Sequence, residues 1–203
     1  MKLYNFISAQ IPDEFFWLNE PKTYFLDRGI HLITKSKTDF WQRTHYGFRR
    51  DDGHCLLTNI KEDFSLKTRV QFNPKSQYDQ CGIIARIDSE NWIKCSIEYE
   101  DDKISRLGSV VTNYGFSDWA TQDISSDVKS AMYRLSKRGQ DFLLEYSLDG
   151  KKWQQMRIAH LHDFKDSIDV GVYACSPIGE EFQCKFDFIE IDKNNWHYQE
   201  AND

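Results

Sequence analysis

QCGIIARIDSENWIKCSIEYEDDKISRLGSVVTN, residues 80–113, is the stretch whose reading decides the fold. Apolar and polar side chains alternate through it at period two. Two turn-forming clusters, Asp88-Ser89-Glu90-Asn91 and Glu100-Asp101-Asp102-Lys103, break the alternation at the spacing of consecutive hairpins. The reading is a meander of three antiparallel strands, over about 80–87, 92–99 and 104–113. A short loop around Ser89 sets Arg86 opposite Trp92, Ile84 opposite Lys94, Gly82 opposite Ser96 and Gln80 opposite Glu98. One face is then Cys81, Ile83, Ala85 and Ile87 against Ile93, Cys95, Ile97 and Tyr99, which is core; the other carries Gln80, Arg86, Lys94, Ser96 and Glu98. A slip of one residue exchanges all of these positions, so the apolar set determines the polar one.

The same alternation continues on both sides. Phe64, Leu66, Thr68, Val70 and Phe72 form a one-sided strand stopped by Asn73-Pro74, with Ser65, Lys67, Arg69 and Gln71 on its wet face. Ile30, Leu32 and Thr34 alternate likewise, and further strands are expected over 133–137, 142–148, 154–158, 168–174 and 182–191. Asp149-Gly150 supplies a tight hairpin turn and Ser176-Pro177-Ile178-Gly179 another reversal. Ten to thirteen short strands exceed what one open sheet holds without splitting, so the expected fold is all-β, a two-sheet sandwich. One domain over residues 1–203 is expected, with 193–203 as a loosely held tail.

Composition narrows the function classes. The net charge of -6, from 26 basic and 32 acidic residues, is spread singly along the strands, which argues against nucleic acid as a partner. No apolar run nears the roughly 20 residues of a membrane span, and residues 1–11 lack the pattern of a secretory signal. Cys55, Cys81, Cys95, Cys175 and Cys184 are odd in number, form no CxxC pair and sit within apolar strand patterns, so they read as reduced core thiols and favour the cytoplasm. The marks of acyl transfer, nucleotide hydrolysis and dinucleotide chemistry are missing. No cofactor is expected, and no metal, because neither His45 and His54 with Asp39 or Asp52, nor His160-Leu161-His162-Asp163, has a ligand spacing diagnostic of one.

The polar face of the meander is the first place to look for a site. Lys94 and Glu98 lie about 13 Å apart along one strand, too far for direct pairing yet able to reach a shared ligand. Gly82 in mid-strand leaves room for a ligand or for another backbone. Three aromatic and polar clusters flank this face: Trp17, Asn19 and Glu20; Asp39, Trp41 and His45; and Asn113, Asp118 and Trp119. Aromatic rings beside carboxylates and amides suit sugars, since a ring covers the C–H faces while polar groups take the hydroxyls. Loops at the sandwich mouth are expected to gather these clusters around Gln80, Lys94 and Glu98, with His54 open as a general base. The alternatives are a solvated face of cross-strand pairs, core aromatics and ordinary turn chemistry.

TDFWQRTHYGF (38–48), DDGH (51–54), YDQCGIIAR (78–86), WIKCSIE (92–98) and VVTNYGFSDW (110–119), with WLNEP (17–21) and VGVYACSP (170–177), resemble the family called domain of unknown function 1349, over about residues 15–192. The resemblance implies a concanavalin A-like jelly roll of the lectin and glucanase type. It also implies kinship with a fungal protein implicated in regulating enolase, hence a possible protein partner, a metabolic enzyme on which the chain docks. Glu98 and Glu100 match the spacing of the carboxylate pair of retaining glucanases with this architecture, but Tyr99 replaces the intervening Asp. Three functions follow as expectations: binding of a small polar ligand such as a carbohydrate, regulatory docking, and glycoside hydrolysis or lysis through a cleft carboxylate.

Overall fold

The computed structural model describes residues 1–8, 10–163, 166–194 and 196; most of the expected C-terminal tail lies outside the described residues. Among the described residues seventeen strands follow one another: β1 (Lys2–Tyr4), β2 (Phe16–Leu18), β3 (Thr23–Leu26), β4 (Ile30–Ile33), β5 (Phe40–Gln42), β6 (Arg49–Asp51), β7 (His54–Ile60), β8 (Phe64–Asn73) and β9 (Gln80–Asp88). Then come β10 (Asn91–Tyr99), β11 (Ile104–Asn113), β12 (Phe116–Ser125), β13 (Ser130–Arg138), β14 (Asp141–Ser147), β15 (Gln154–His160), β16 (Ile168–Cys175) and β17 (Gln183–Lys193). Among the described residues there is no helix, hence none long and apolar enough to cross a membrane.

Two antiparallel sheets hold fifteen of these strands. One has the order β15-β14-β13-β8-β17-β4-β3, with β1 also on β17; the other runs β12-β11-β10-β9-β16-β7-β2. The β9–β10 register is the one the alternation dictates: Arg86 faces Trp92, Ile84 faces Lys94, Gly82 faces Ser96 and Gln80 faces Glu98. The core lies between the sheets, where Ile83, Ala85, Ile93, Cys95, Ile97 and Leu107 meet Leu66, Val70, Tyr133, Leu135, Leu144 and Phe186. All five cysteines are buried and free.

The meander has a fourth strand. Ser117, Asp118 and Trp119 belong to β12, the sheet edge, rather than to a loop. Most of β12 is exposed, so no apolar alternation marked it. Gly82 also has a role other than ligand access, because a Cβ there would come within 1.9 Å of the Cys95 carbonyl oxygen on the neighbouring strand. Its missing side chain serves strand packing.

The largest feature the sequence did not announce is a cover over part of the outer face of the seven-stranded sheet. β5 and β6 form a separate hairpin that lies over it. Phe40 and Trp41 from this hairpin pack on Cys55, Leu57, Ile84, Trp92, Val110, Tyr173 and Cys175, a second apolar cluster behind the first. Burying each large side chain contributes roughly 1.5–3 kcal/mol of transfer free energy, which is what holds so short a hairpin in place. Polar clamps fix its orientation. Arg86, 8% exposed, grips Asp51 with two bonds of 2.7 and 2.8 Å. Arg43 donates to the Gly115 carbonyl at 2.8 Å and to Glu90 at 3.1 Å, and the Gln42 amide donates to Ser117 Oγ at 3.0 Å. Burial of Asp51 raises its pKa despite Arg86, so the clamp specifies position more than it adds stability.

Candidate functional site

The hairpin covers only part of the sheet, and what it leaves open is a cavity of about 450 Å3. Strands β9 and β10 make its floor with Gln80, Lys94 and Glu98; Asp39 and Arg50 enter from the hairpin; Trp41, Tyr46, Phe48, Tyr78, Val110, Trp119, Pro177 and Ile178 supply the walls and rim. That mixture of apolar walls and a few converging polar groups is the common form of a small-molecule site.

Gln80 is the hub of the floor. Its Oε1 accepts from Lys94 Nζ at 2.8 Å and from the Tyr173 hydroxyl at 3.1 Å, while its Nε2 donates to Glu98 Oε2 at 2.6 Å and to the Tyr78 carbonyl at 3.2 Å. Turning the amide over would set its N–H groups against an ammonium, so these four partners lock one orientation. Lys94 and Glu98, too far apart along the strand to meet, are thereby joined through a side chain of the next strand. Lys94 is only 3% exposed. Its Nζ stands 3.8 Å from Asp39 Oδ1, beyond hydrogen-bond length, and within 5.8 Å of the Trp92 and 5.4 Å of the Tyr173 ring centres. Burial pushes the Glu98 carboxyl up to about 8, against the opposing pull of Lys94, so it is largely protonated at neutral pH.

The walls are set by neighbours of the floor. Trp41 donates from Nε1 to the Thr44 carbonyl at 2.9 Å and meets Trp119 edge-on at 6.4 Å and Tyr46 at 5.5 Å. Asp79, buried beside Gln80, accepts from the Lys75 and Ser76 amides at 2.9 Å each and from Ser176 Oγ at 2.5 Å. One carboxylate therefore ties the loop bearing Tyr78 to the turn bearing Pro177 and Ile178. Arg50 leans on Asp52 at 2.9 Å, and the Asp39 amide donates to Asp52 Oδ1 at 2.8 Å.

Of the residues singled out from the sequence, the cavity gathers Asp39, Trp41, Gln80, Lys94, Glu98 and Trp119. The others lie outside its lining, and most have local roles. Trp17 packs on Tyr24 at the main core; Asn19, in a left-handed turn at φ 56°, donates to the Asp51 and Gly53 carbonyls. Glu20 is exposed. His45 sits at φ 62° in the exposed turn of the hairpin, its ring against Tyr46. Asn113 links strand ends by bonds to the His160 carbonyl and the His162 amide, and Asp118 points away from the cavity to Arg157 at 3.0 Å.

His54 is not placed to act as a base. Its Nδ1 bonds the Asn19 carbonyl at 2.6 Å and its Nε2 accepts from the Lys35 amide at 2.9 Å, which requires the neutral ring protonated on Nδ1. Burial lowers its pKa accordingly. Glu100, the other member of the expected carboxylate pair, lies at the turn after β10 outside the cavity lining, where Gln77 and Arg106 hold it at 2.6 and 3.7 Å. The two carboxyls that share the cavity are Glu98 and Asp39. Among the described residues no group of three His, Cys, Asp or Glu is disposed to hold a metal.

Tyr46, Phe48, Arg50, Tyr78, Val110, Pro177 and Ile178 were not foreseen. Tyr46 and Phe48 follow Trp41 within one run, and Tyr78 is two residues before Gln80, so proximity was the available signal. Pro177 and Ile178 carried none beyond a turn.

Residues 17–194 match the model of a family described as a protein of unknown function, DUF1349. A Saccharomyces cerevisiae protein, "Regulation of enolase protein 1", is 40% identical over 162 residues, 79% of this chain and 80% of that one. A crystal structure of a functionally unknown protein from the same yeast superposes with a TM-score of 0.84 at 35% identity, covering 90% of this chain and 98% of the other. A xylan beta-1,4-xylosidase from Bacillus halodurans gives a TM-score of 0.73 at 14% identity over 94% of this chain, which corresponds to 39% of that enzyme. For a beta-1,3-glucanase from Mycobacterium marinum the TM-score is 0.57 at 12% identity, covering 95% and 98% of the two chains. At such identities the likeness to the two enzymes is one of fold, the concanavalin A-like sandwich, and carries no chemistry with it.

Proposed function

The chain belongs to the DUF1349 family, and from that premise and the geometry of its cavity we propose that it binds a carbohydrate or similar polyol on the outer face of the seven-stranded sheet. The observation that carries the reading is the hydrogen-bonded chain of buried Lys94 and Gln80 and half-buried Glu98, with Asp39 at one end, facing a cavity walled by Trp41, Tyr46, Tyr78 and Trp119. A buried ammonium and partly buried carboxyl groups cost desolvation energy that apolar residues at the same positions would avoid. Their concentration on the floor of a cavity is the pattern of a binding site. Indole and phenol faces beside such groups match the alternating C–H and hydroxyl surfaces of a sugar ring.

Titration calorimetry against mono- and oligosaccharides tests this proposal. A hit is expected, weakened at least tenfold in Trp119→Ala, a variant at a half-exposed edge position that keeps the wild-type Tm. Absence of binding to any saccharide, or binding unchanged in the variant, refutes it.

Two further readings each have one supporting observation. The protonated Glu98 beside Asp39 is a donor–carboxylate combination of the kind glycosidases use, and release of aryl leaving groups from aryl glycosides would establish hydrolysis. Docking on a metabolic enzyme draws on the name of the yeast relative and on the exposed Tyr46, Phe48 and Ile178 at the cavity rim. Stoichiometric association with a purified enzyme, blocked by substitutions of these three residues, would favour it over sugar binding.

A further inference from the structure

The charges of the cavity narrow the ligand class, given the sugar-binding reading above on which this step rests. Each cation there already has a carboxylate. Arg50 is held by Asp52 at 2.9 Å, and Lys94 faces Asp39 at 3.8 Å. Glu98 is not a third anion at neutral pH, since burial keeps its carboxyl protonated up to about 8. The pairs cancel, so the cavity has no surplus positive charge to offer a phosphate or a carboxylate.

The spacing of one pair is informative. Lys94 Nζ and Asp39 Oδ1 are too far apart to hydrogen-bond each other, and Gln80 Oε1 is the hydrogen-bond acceptor that Nζ contacts among the described residues. An ammonium has three donors. A hydroxyl oxygen at hydrogen-bond length from both atoms closes the gap, accepting from Nζ and donating to Oδ1. An anionic oxygen in that position has no proton to give Asp39. It meets repulsion from the carboxylate at nearly the distance at which it gains attraction from the ammonium, and in a partly desolvated site neither is screened away. The rest of the floor sets no further charge against a ligand: Glu98 carries a protonated carboxyl, and the lone pairs and protons of the Gln80 amide are already taken by protein partners.

We infer that the ligand is an uncharged sugar, not a sugar phosphate or a uronic acid, and that one of its hydroxyls bridges Asp39 and Lys94. Asp39 is thereby the residue that selects against anions.

Matched ligands test the inference: glucose, glucose 6-phosphate and glucuronate, together with cellobiose and xylobiose, titrated calorimetrically into the full chain at pH 7. At least one neutral sugar is expected to bind tenfold or more tightly than both anionic ones. Asp39→Asn is expected to weaken the neutral sugar and to narrow that ratio to less than threefold. If the variant fails to fold, the wild-type comparison is repeated at 50 and 500 mM NaCl, where neutral-sugar affinity should stay constant within twofold. Equal or tighter binding of glucose 6-phosphate or glucuronate overturns the inference while leaving the sugar-binding reading in place. So does a ratio unchanged by Asp39→Asn, or an affinity for the neutral sugar that falls steeply with salt. Failure of every sugar to bind overturns both.

Discussion

Replacing Glu98 by Gln isolates the most unusual charge state in the molecule. Gln is the near-isostere of a protonated Glu and keeps an oxygen to accept the 2.6 Å bond from Gln80, so the variant mimics the neutral site at every pH. In the wild type the folded state raises the carboxyl from an ordinary 4.5 to about 8. Folded chains therefore bind this proton more tightly than unfolded ones. The resulting stability is fully present below about 4.5 and is lost as pH rises through about 8. A displacement of that size corresponds to about 5 kcal/mol between the two protonation states, a large share of the 5–15 kcal/mol typical of a folded domain. Urea unfolding of both proteins at pH 5, 7 and 9 measures it. The stability of Glu98→Gln minus that of the wild type should rise steadily with pH, by several kcal/mol across the range, while histidines and surface carboxylates cancel in the difference. A difference constant to within about 0.5 kcal/mol would refute the claim that burial controls this carboxyl.

Other predictions concern separate parts of the molecule. Gly82→Ala places a methyl 1.9 Å from the Cys95 carbonyl oxygen and should cost at least about 2 kcal/mol by chemical denaturation, with no effect on ligand affinity in the fraction that stays folded. His54 should remain neutral and protonated on Nδ1, observable by nitrogen-15 NMR. Because its folded pKa is lowered by burial, its contribution is present above the unfolded value near 6.5 and is lost as pH falls below it, so a ring that titrates normally contradicts its assignment. Asp51→Ala strands Arg86 in a buried position and should destabilise the protein by roughly 3–5 kcal/mol, read as a lower urea midpoint; a loss under about 1 kcal/mol would show that Arg86 does not depend on Asp51 for its charge partner.

The meander was legible because it obeys one simple rule. Branched aliphatics and thiols at every second position admit a single register, and Gln80, Lys94 and Glu98 follow onto the opposite face without further information. What lay beyond that rule was not legible. Phe40-Trp41-Gln42 is too short to show a period, and all three side chains are buried, so nothing in the segment announced a lid over the sheet. Without the lid, the polar face read as open and Gly82 as a door. β12 carries exposed residues on both faces and gave no alternation. The loops around Tyr78 and Pro177 are brought together by Asp79 and Ser176, nearly one hundred positions apart in the chain, a contact that only the folded sandwich creates. His54 and Asn19 illustrate the converse: polar residues near aromatic ones looked functional, yet their atoms are consumed by backbone groups of neighbouring turns.

On the proposed function, the part of the outer face of the seven-stranded sheet left open by the hairpin is a ligand cavity floored by Lys94, Gln80 and Glu98. A crystal soaked with the tightest-binding neutral sugar tests it most directly. Density is expected between Trp41 and Trp119 with one hydroxyl bridging Asp39 Oδ1 and Lys94 Nζ. A sugar seated elsewhere on the molecule, with this cavity holding only water, would contradict it.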